Sequence, residues 1–143
     1  MNDPRYEMLK LENQLCFPLY ACARDVIRQY KPFLDDLDLT YTQYIAMMVL
    51  WEEKQVSVKE LGEKLYLDSG TLTPLLKKLE IRNLITRTRS TEDERKLIVA
   101  LTPEGLALRE RALDIPAKMA GCSKLDPADA AELHRILHKM LAK

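Results

Sequence analysis

The sequence predicts a mainly α-helical protein with one small β-hairpin. Apolar residues recur at helical spacing along most of the chain, and helix-capping pairs precede several of these apolar runs. Segments that alternate in polarity and are rich in β-branched residues appear near residues 85–101. With 143 residues, of which 47% are hydrophobic, the chain can bury a core, and we expect one domain over residues 1–143.

Charge is balanced overall but unevenly distributed. The 22 basic and 22 acidic side chains cancel, so the net charge neither favours nor excludes a nucleic-acid partner. Residues 1–53 carry nine acids and five bases, whereas residues 71–91 carry five bases and one acid. The longest apolar run, residues 45–51, is too short to cross a bilayer, and the N-terminus lacks the apolar core of a signal peptide. We therefore expect a cytoplasmic protein without a membrane partner.

Residues 3–34 are predicted to form one long first helix. Two adjoining apolar stripes run along it, so the helix must be covered on two sides. Pro18 lies inside this segment and predicts a bend around Cys16, and Pro32 can end or bend the helix again. Cys22 falls on the other stripe from Cys16, and we expect it in the core.

Two capped helices follow. Thr40 and Gln43 form a capping box in front of the apolar run YIAMMVLWEE, which predicts a mostly buried helix. Ser57 and Glu60 repeat the pattern in front of a short helix. The inward side of that short helix would carry Val58, Leu61 and Leu65.

Residues 67–80, LDSGTLTPLLKKLE, predict an amphipathic helix after a tight turn. Four leucines at helical spacing form its apolar stripe, namely Leu72, Leu75, Leu76 and Leu79. The candidate DNA contacts offer hydroxyl, apolar and ammonium groups suited to a groove, and they are Ser69, Thr71, Thr73, Pro74, Lys77 and Lys78. Asp68, Ser69 and Thr71 are all candidate N-caps, and Pro74 is tolerable only within about the first turn.

On its own, this stretch also fits an ordinary surface helix with a solvated polar face. Its neighbours favour a role in reading DNA. A short helix, a tight turn and an amphipathic helix with a basic outer face form a helix-turn-helix. The segments ITRTRS and KLIVAL then flank the charged turn TEDER, which predicts a β-hairpin, or wing, with Arg87 on its first strand as a further candidate DNA contact.

The C-terminal part is predicted to be helical. A Thr-Pro pair at residues 102–103 starts a helix that runs to about residue 120, with a possible break at Pro116. An Asp-Pro pair at residues 126–127 repeats this start for a last helix over residues 128–141.

The winged helix-turn-helix needs only residues 40–102. The remaining parts, residues 1–39 and 103–143, contribute apolar helices that this small module cannot cover. We therefore expect them to form a dimerisation part, in which two copies of the chain cover each other across a two-fold axis. Such a homodimer places two reading helices about one DNA turn apart, roughly 34 to 36 Å, which suits a pseudo-palindromic operator in double-stranded DNA.

Four segments of the chain resemble the MarR family of bacterial regulators. The wing segment STEDERKLIVALTPEG is similar to the family pattern D-x-R-x-x-x-L-x-L-T, with Asp93, Arg95, Leu101 and Thr102 at its main positions and Val99 or Leu97 at its inner apolar one. The segments NQLCFPLY, LTYTQYI and LYLDSGTLTPLLKKLE resemble one branch, the organic hydroperoxide resistance regulators (OhrR type). The resemblance covers about residues 9–142.

This resemblance implies a dimeric winged helix-turn-helix repressor. Its elements would be two helices, a short strand, two helices, two wing strands and two further helices. The reading helix would enter the major groove, and Arg95 would enter the adjacent minor groove with Asp93 holding its guanidinium. Alternatively, Asp93 and Arg95 form an exposed ion pair worth under about 1 kcal/mol.

The three cysteines are an odd number, and a reducing compartment argues against a structural disulfide framework. A cysteine on an apolar helix usually acts as a small hydrophobic residue. The resemblance implies instead that Cys16 senses peroxide and that tyrosines of the partner subunit donate hydrogen bonds to its thiolate. Tyr30 and Tyr41 stand at the matching positions, with Tyr20 nearby.

Some members of this branch resolve the oxidised sensor with a second cysteine near the C-terminal helices of the partner. Cys122, in the predicted loop before the last helix, fits this two-cysteine type. A disulfide between Cys16 and Cys122 of the partner subunit would change the spacing of the two reading helices, so that they no longer fit two DNA half-sites. An apolar pocket would favour organic hydroperoxides as the effector, and its candidate walls are Phe17, Met47 and Met48.

The chain lacks a Gly-rich phosphate loop, a Ser-His-Asp pattern and a paired-carboxylate site, so we expect neither an enzyme nor a cofactor. His134 and His138 lie one helical turn apart without an obvious third ligand, and we expect no metal site. Two alternatives to a redox-sensing repressor remain open. One is a MarR-type repressor relieved by a small phenolic or aromatic ligand with passive cysteines. The other is a thiol peroxidase, which would need steady turnover with a reductant.

Overall fold

The structure, a computed structural model, describes residues 3–142. These residues fold as two compact units, and the boundary between the units lies between Leu113 and Asp114. The first unit contains five α-helices and a small sheet, and the second contains two α-helices. None of the described helices is both long and apolar enough to cross a membrane.

The N-terminal segment is not one continuous helix. Two short 3₁₀ helices, Pro4–Leu9 and Leu11–Asn13, precede helix α1, which spans Cys16–Asp35. The predicted start at residue 3 is therefore wrong, and the predicted bend is instead a helix start. Pro18 explains the late start, because its ring would clash with the Gln14 carbonyl in a continuous helix, whereas the first turn needs no N–H at that position.

The rest of the first unit follows the predicted order of elements. These elements are α2 (Tyr41–Glu53), β1 (Gln55–Ser57), α3 (Val58–Leu65), α4 (Ser69–Ile81), β2 (Ile85–Arg89), β3 (Leu97–Leu101) and α5 (Pro103–Ala112). Thr40 and Gln43 form the predicted capping box of α2. Ser57 caps α3, because its hydroxyl accepts a hydrogen bond from the Glu60 N–H at 3.1 Å.

The three strands form one antiparallel sheet in the order β1-β3-β2. Val99 at the centre of β3 pairs with Val56 of β1 on one side and with Arg87 of β2 on the other. The β2–β3 hairpin is the predicted wing, and residues 90–96 form its projecting turn. Anchoring β3 between two strands holds the base of the wing against the helices.

The core of the first unit is built from aliphatic side chains of α2, the helix-turn-helix and the sheet. The largest fully buried side chains are Met47, Leu50, Leu61, Leu72, Leu76, Leu79, Ile85 and Val99. Trp51 joins α2 to α5 by donating its indole N–H to the Gly105 carbonyl at 2.8 Å. A Cβ at Gly105 would lie 2.1 Å from the Leu84 carbonyl oxygen, so this contact between α5 and the sheet requires glycine.

The second unit contains α6, Ile115–Cys122, and α7, Pro127–Leu141. The predicted break near Pro116 is confirmed, because α5 ends at Ala112 and Pro116 lies in the first turn of a separate helix. The described residues thus contain seven α-helices, one more than the resemblance implies. The predicted fold class, mainly α with a small β wing, is confirmed.

Candidate functional site

Helix α4, which we call the reading helix, has a buried side and an exposed side. Its four stripe leucines are all buried, with Leu79 at 0% exposure. Asp68 is its N-cap and accepts a hydrogen bond from the Thr71 N–H at 2.8 Å. This bond, with weaker help from the Thr71 hydroxyl, holds the pKa of the Asp68 carboxyl below its usual value. Of the three candidate caps, the structure therefore selects Asp68.

All six predicted DNA contacts on the reading helix are exposed, namely Ser69, Thr71, Thr73, Pro74, Lys77 and Lys78. The Thr73 hydroxyl donates to the Ser69 carbonyl at 2.8 Å, so its methyl group is the part left for an apolar contact. Pro74 is the sixth residue of the helix, and the expectation that it must lie within the first turn is wrong. Because Pro74 has no N–H, it leaves the Gly70 carbonyl without its usual helical donor.

The turn of the wing presents Arg95 to solvent. Its side chain is 92% exposed, and its Nε lies 3.2 Å from an Asp93 carboxylate oxygen. The Arg95 backbone N–H also donates to Asp93 at 3.0 Å, and these two bonds lower the pKa of Asp93. The Ser90 hydroxyl accepts from the Glu92 and Asp93 N–H groups, which orders the turn around this pair.

Arg87 occupies a different position from the other predicted DNA contacts. Its guanidinium donates to Glu80 on the reading helix, with an Nη2–Oε1 distance of 3.1 Å. The side chain is 20% exposed, and its Nε is buried without a hydrogen-bond partner among the described residues. Arg87 therefore links the wing to the reading helix, and a direct contact with DNA stays a prediction.

Cys16 is the first residue of α1 and is exposed. Leu15, at the N-cap position, supplies no capping side chain, so the positive end of the helix dipole is available to an anionic group at Cys16. Cys22 is also exposed in the subunit, and its predicted place in the core is wrong. Cys122 is exposed as well, but it ends α6 rather than lying in a loop as predicted.

Tyr30 and Tyr41 form a ring cluster with Tyr44. The centroid distances are 5.0 Å for Tyr30–Tyr41 and 5.7 Å for Tyr30–Tyr44. Burial raises the pKa of Tyr30 and of Tyr44, and repulsion from their ionised neighbours adds to both shifts. The phenols at these two positions therefore remain protonated donors near neutral pH. Tyr20 lies apart from this cluster, exposed and stacked under the Arg24 guanidinium at 5.4 Å.

The tyrosine cluster and Cys16 lie at opposite ends of α1. Tyr30 lies fourteen positions after Cys16, which at about 1.5 Å per residue is about 21 Å along the helix axis. A hydrogen bond between them within one subunit is therefore excluded. If Tyr30 supports the thiolate, it must do so from the other subunit of a dimer.

The three predicted pocket walls have different environments. Phe17 borders a groove of roughly 550 Å³ that is also lined by Lys10, Leu11 and Glu12. Met47 is fully buried in the core, whereas Met48 is exposed on α2. Of the three, Phe17 follows Cys16 directly in sequence and borders this open groove.

Residues 28–111 match the family described as transcriptional regulator SarA/Rot. Over 139 residues the chain is 51% identical to the organic hydroperoxide resistance transcriptional regulator of Bacillus subtilis (strain 168), covering 97% of this chain and 95% of the relative. The chain belongs to the MarR family, in its organic hydroperoxide resistance branch.

Further MarR-type relatives come from staphylococci. The regulator SarZ of Staphylococcus aureus (strain MRSA252) is 39% identical over 133 residues, or 93% of this chain and 90% of SarZ. Reduced AbfR bound to DNA is 32% identical with a TM-score of 0.80, covering 95% of this chain and 93% of AbfR. Disulfide-formed AbfR is 33% identical with a TM-score of 0.66, covering 96% and 97% of the chains. AbfR is a Staphylococcus epidermidis protein.

Two features of this MarR-type chain were not predicted from the sequence. Tyr44 completes the tyrosine cluster, and its spacing of i, i+3 from Tyr41 was the available signal. The pairing of Glu80 with Arg87 joins two elements that no local sequence pattern connects.

On α7, the Nε2 atoms of His134 and His138 lie 3.1 Å apart. The described residues contain no group of three His, Cys, Asp or Glu side chains able to hold a metal.

Proposed function

We propose that the protein is a transcriptional repressor that binds its operator in the reduced state and releases it when an organic hydroperoxide oxidises Cys16. The observation that carries this proposal is the exposed Cys16 at the start of α1 in a chain with an exposed reading helix and wing. The names of the relatives support it, because one is an organic hydroperoxide resistance regulator and another was solved in reduced, DNA-bound form and in disulfide form.

The winged helix-turn-helix of residues 40–102 contacts double-stranded DNA. Lys77 and Lys78 supply positive charge to phosphates, and Thr71 and Thr73 offer small contacts to base edges in the major groove. Arg95 enters the minor groove, where a narrow A·T-rich segment has a strong negative potential. Asp93 limits the freedom of the Arg95 side chain, because it binds both the backbone and the guanidinium of that residue.

The protein acts as a homodimer on a pseudo-palindromic operator. Large apolar side chains are exposed along the N-terminal segment and α1, including Leu9, Leu11, Leu15, Phe17, Leu19, Val26 and Ile27. Others are exposed on α7, namely Leu133, Ile136, Met140 and Leu141. Burying such faces between two copies removes apolar area from water, which favours association. Residues 1–39 and 103–143 are therefore the dimerisation part.

Oxidation begins when the Cys16 thiolate attacks the terminal oxygen of the hydroperoxide. The O–O bond breaks, the alkoxide takes a proton and leaves as an alcohol, and Cys16 becomes a sulfenic acid. The thiolate of Cys122 of the partner subunit then attacks the Cys16 sulfur. A disulfide forms, and the sulfenic hydroxyl leaves as water after taking a proton. The alcohol and water account for both peroxide oxygens.

Tyrosines of the partner subunit stabilise the reactive thiolate. Tyr30 remains protonated near neutral pH because burial raises its pKa, so its hydroxyl can donate a hydrogen bond to an anion. Tyr41 lies beside it, and Tyr20 is an exposed third donor on the same helix as Cys16. The thiol reacts once per signal, so the protein is a stoichiometric sensor rather than an enzyme, and this chemistry needs no cofactor. The protein acts in the cytoplasm, where its DNA target lies.

The test combines thiol chemistry with DNA binding. The probe is a duplex selected from random sequence by the reduced protein, and cumene hydroperoxide is the oxidant. Wild type should lose the duplex and form a dimer-sized band without reductant. Cys16→Ser should keep the duplex, and Cys22→Ser serves as the matched exposed-cysteine control that behaves as wild type. Peroxide-dependent loss of duplex binding in Cys16→Ser contradicts the proposal. If wild type releases the duplex without forming the dimer-sized band, Cys122 does not resolve the oxidised Cys16.

A second candidate, a MarR-type repressor relieved by a small phenolic or aromatic ligand, is favoured by one cavity. It has a volume of roughly 280 Å³, and its lining combines the apolar or aromatic residues Ile27, Leu34, Leu39 and Tyr41 with the polar or charged residues Arg28, Lys31, Asp35 and Thr40. In that case a phenolic ligand should release the duplex from wild type and Cys16→Ser alike. The same cysteine variant thus separates the two functions.

A further inference from the structure

The turn between α1 and α2 is held by arginines from distant parts of the first unit. The Arg82 guanidinium donates to two successive backbone carbonyls of this turn, Leu37 at 3.0 Å and Asp38. The Arg111 guanidinium, from α5, donates to the Asp36 carbonyl just before them. Three consecutive carbonyls of the turn therefore accept hydrogen bonds from side chains that lie 44 to 75 residues further along the chain.

Arg82 belongs to the end of the reading helix. It is the C-cap residue of α4, directly after Ile81, and its backbone N–H bonds to carbonyls of the last helical turn. Its side chain is 31% exposed, and its Nε also lies 3.8 Å from the Asp38 carboxylate. A single side chain thus connects the C-terminal end of the reading helix to the C-terminal end of α1.

The turn that receives Arg82 is firmly anchored. Leu34, Leu37 and Leu39 are buried, with exposures of 2%, 2% and 5%. Asp38 has a φ of 53°, in the left-handed region that most non-glycine residues avoid but aspartate tolerates better than they do. A planar guanidinium can donate to two carbonyls at once in a fixed geometry. A lysine ammonium on a flexible stem does not fix the direction of its hydrogen bonds in this way.

The other end of α1 carries Cys16. The helix has 20 residues, about 30 Å in length, so a tilt caused at one end moves the turn at the other end. The hydrogen bonds of Arg82 connect this turn to the reading helix. Glu80 and Arg87 join the same end of the reading helix to the wing.

We propose that Arg82 is the positioning residue that couples the oxidation state of α1 to the orientation of the reading helix. This inference rests on the proposed redox function. Displacement of the α1–α2 turn, after Cys16 is oxidised, pulls on the end of α4 through the two carbonyl bonds and turns its exposed face away from the groove. Without Arg82, the reading helix responds less to the state of α1.

The experiment measures a ratio, the operator affinity of the reduced protein divided by that of the oxidised protein. Full-length wild type, Arg82→Ala and Arg111→Ala are each titrated against the selected duplex before and after cumene hydroperoxide, with free thiols counted in parallel. Arg111→Ala is the matched control. It removes the hydrogen bond between α5 and the α1–α2 turn, but it leaves the hydrogen bonds between Arg82 and the same turn.

Arg82→Ala should lose thiols as wild type does while its affinity ratio falls by about tenfold or more, and Arg111→Ala should keep the wild-type ratio. A purely structural role would instead weaken both redox states equally and leave the ratio unchanged, which overturns the inference. If Arg82→Ala fails to fold, Arg82→Lys replaces it, and a wild-type ratio in Arg82→Lys also overturns the inference. If wild type itself keeps the duplex after oxidation, the proposed function fails first, so the two failures are distinguishable.

Discussion

Glu80 on the reading helix and Arg87 on the first wing strand form an ion pair, with 3.1 Å between Oε1 and Nη2. The pair joins the reading helix to the wing, which we propose to enter different grooves of DNA. The hydrogen bond from Arg87, followed by the charge of its guanidinium, keeps the pKa of the Glu80 carboxyl below its usual value. The interaction therefore depends on pH.

Glu80→Gln should lower stability near neutral pH and have progressively less effect in acid. A carboxyl whose folded-state pKa is lowered contributes stability above its unfolded pKa and loses that contribution as pH falls through the folded pKa. Melting temperatures of wild type and Glu80→Gln, compared from about pH 7 to about pH 3, should thus converge at the acidic end. Glu52→Gln, an exposed substitution on α2, is the control. A gap between wild type and Glu80→Gln that stays constant over this range contradicts the assignment.

Gly105→Ala should destabilise the first unit by about 1 to 3 kcal/mol or more, because a new Cβ would overlap the Leu84 carbonyl. Gly121→Ala is a matched control within a helix, since a Cβ there meets nothing within 4 Å. It should be neutral or slightly stabilising, because alanine is the better helix former. Urea unfolding followed by circular dichroism measures both. Equal effects of the two substitutions would refute the packing argument.

Arg95→Ala should weaken operator binding by about 1 to 3 kcal/mol without changing the melting temperature, because the side chain is 92% exposed outside the core and is proposed to contact DNA. Fluorescence anisotropy with the selected duplex measures the affinity. Lys31→Ala, which removes one positive charge from α1, is the control for net charge. If both variants bind alike, Arg95 acts only through overall charge and the minor-groove assignment is wrong.

Tyr30→Phe should slow the oxidation of Cys16 by about tenfold or more, because a hydrogen bond to a charged group is worth about 1.5 to 3 kcal/mol. The operator affinity of the reduced protein should stay the same. Loss of free thiol after rapid mixing with cumene hydroperoxide gives the rate. Tyr66→Phe, at an exposed tyrosine that ends α3, is the control. Wild-type oxidation kinetics in Tyr30→Phe would remove this tyrosine from the sensor.

The buried face of the reading helix and the N-caps of several other helices were predictable because their signals are local. Leucine spacing within residues 72–79 reports which face is buried, and Thr40, Ser57 and the Asp-Pro pair at residues 126–127 mark helix starts through side chains that bond within the next turn. The wing follows from alternation on both sides of a charged turn. Each of these features depends on fewer than about ten neighbouring residues.

The errors of prediction involve longer-range or steric causes. The apolar pattern of α1 extends back to residue 3, but the ring of Pro18 stops the helix at Cys16. Cys22 lies on an apolar stripe, yet the stripe is uncovered within one subunit, since periodicity reports a buried face without saying which chain buries it. The contacts of Arg82 join residues 44 and 45 positions apart, so no short motif encodes them.

We propose that Cys16 controls the affinity of the reading helix for DNA. The most direct test of this control is the operator Kd of wild type and Cys16→Ser, each measured before and after one equivalent of cumene hydroperoxide. We predict that Kd rises by about 100-fold or more in wild type, within the range of allosteric coupling, and stays unchanged in Cys16→Ser. An equal rise in Kd for both proteins would contradict it.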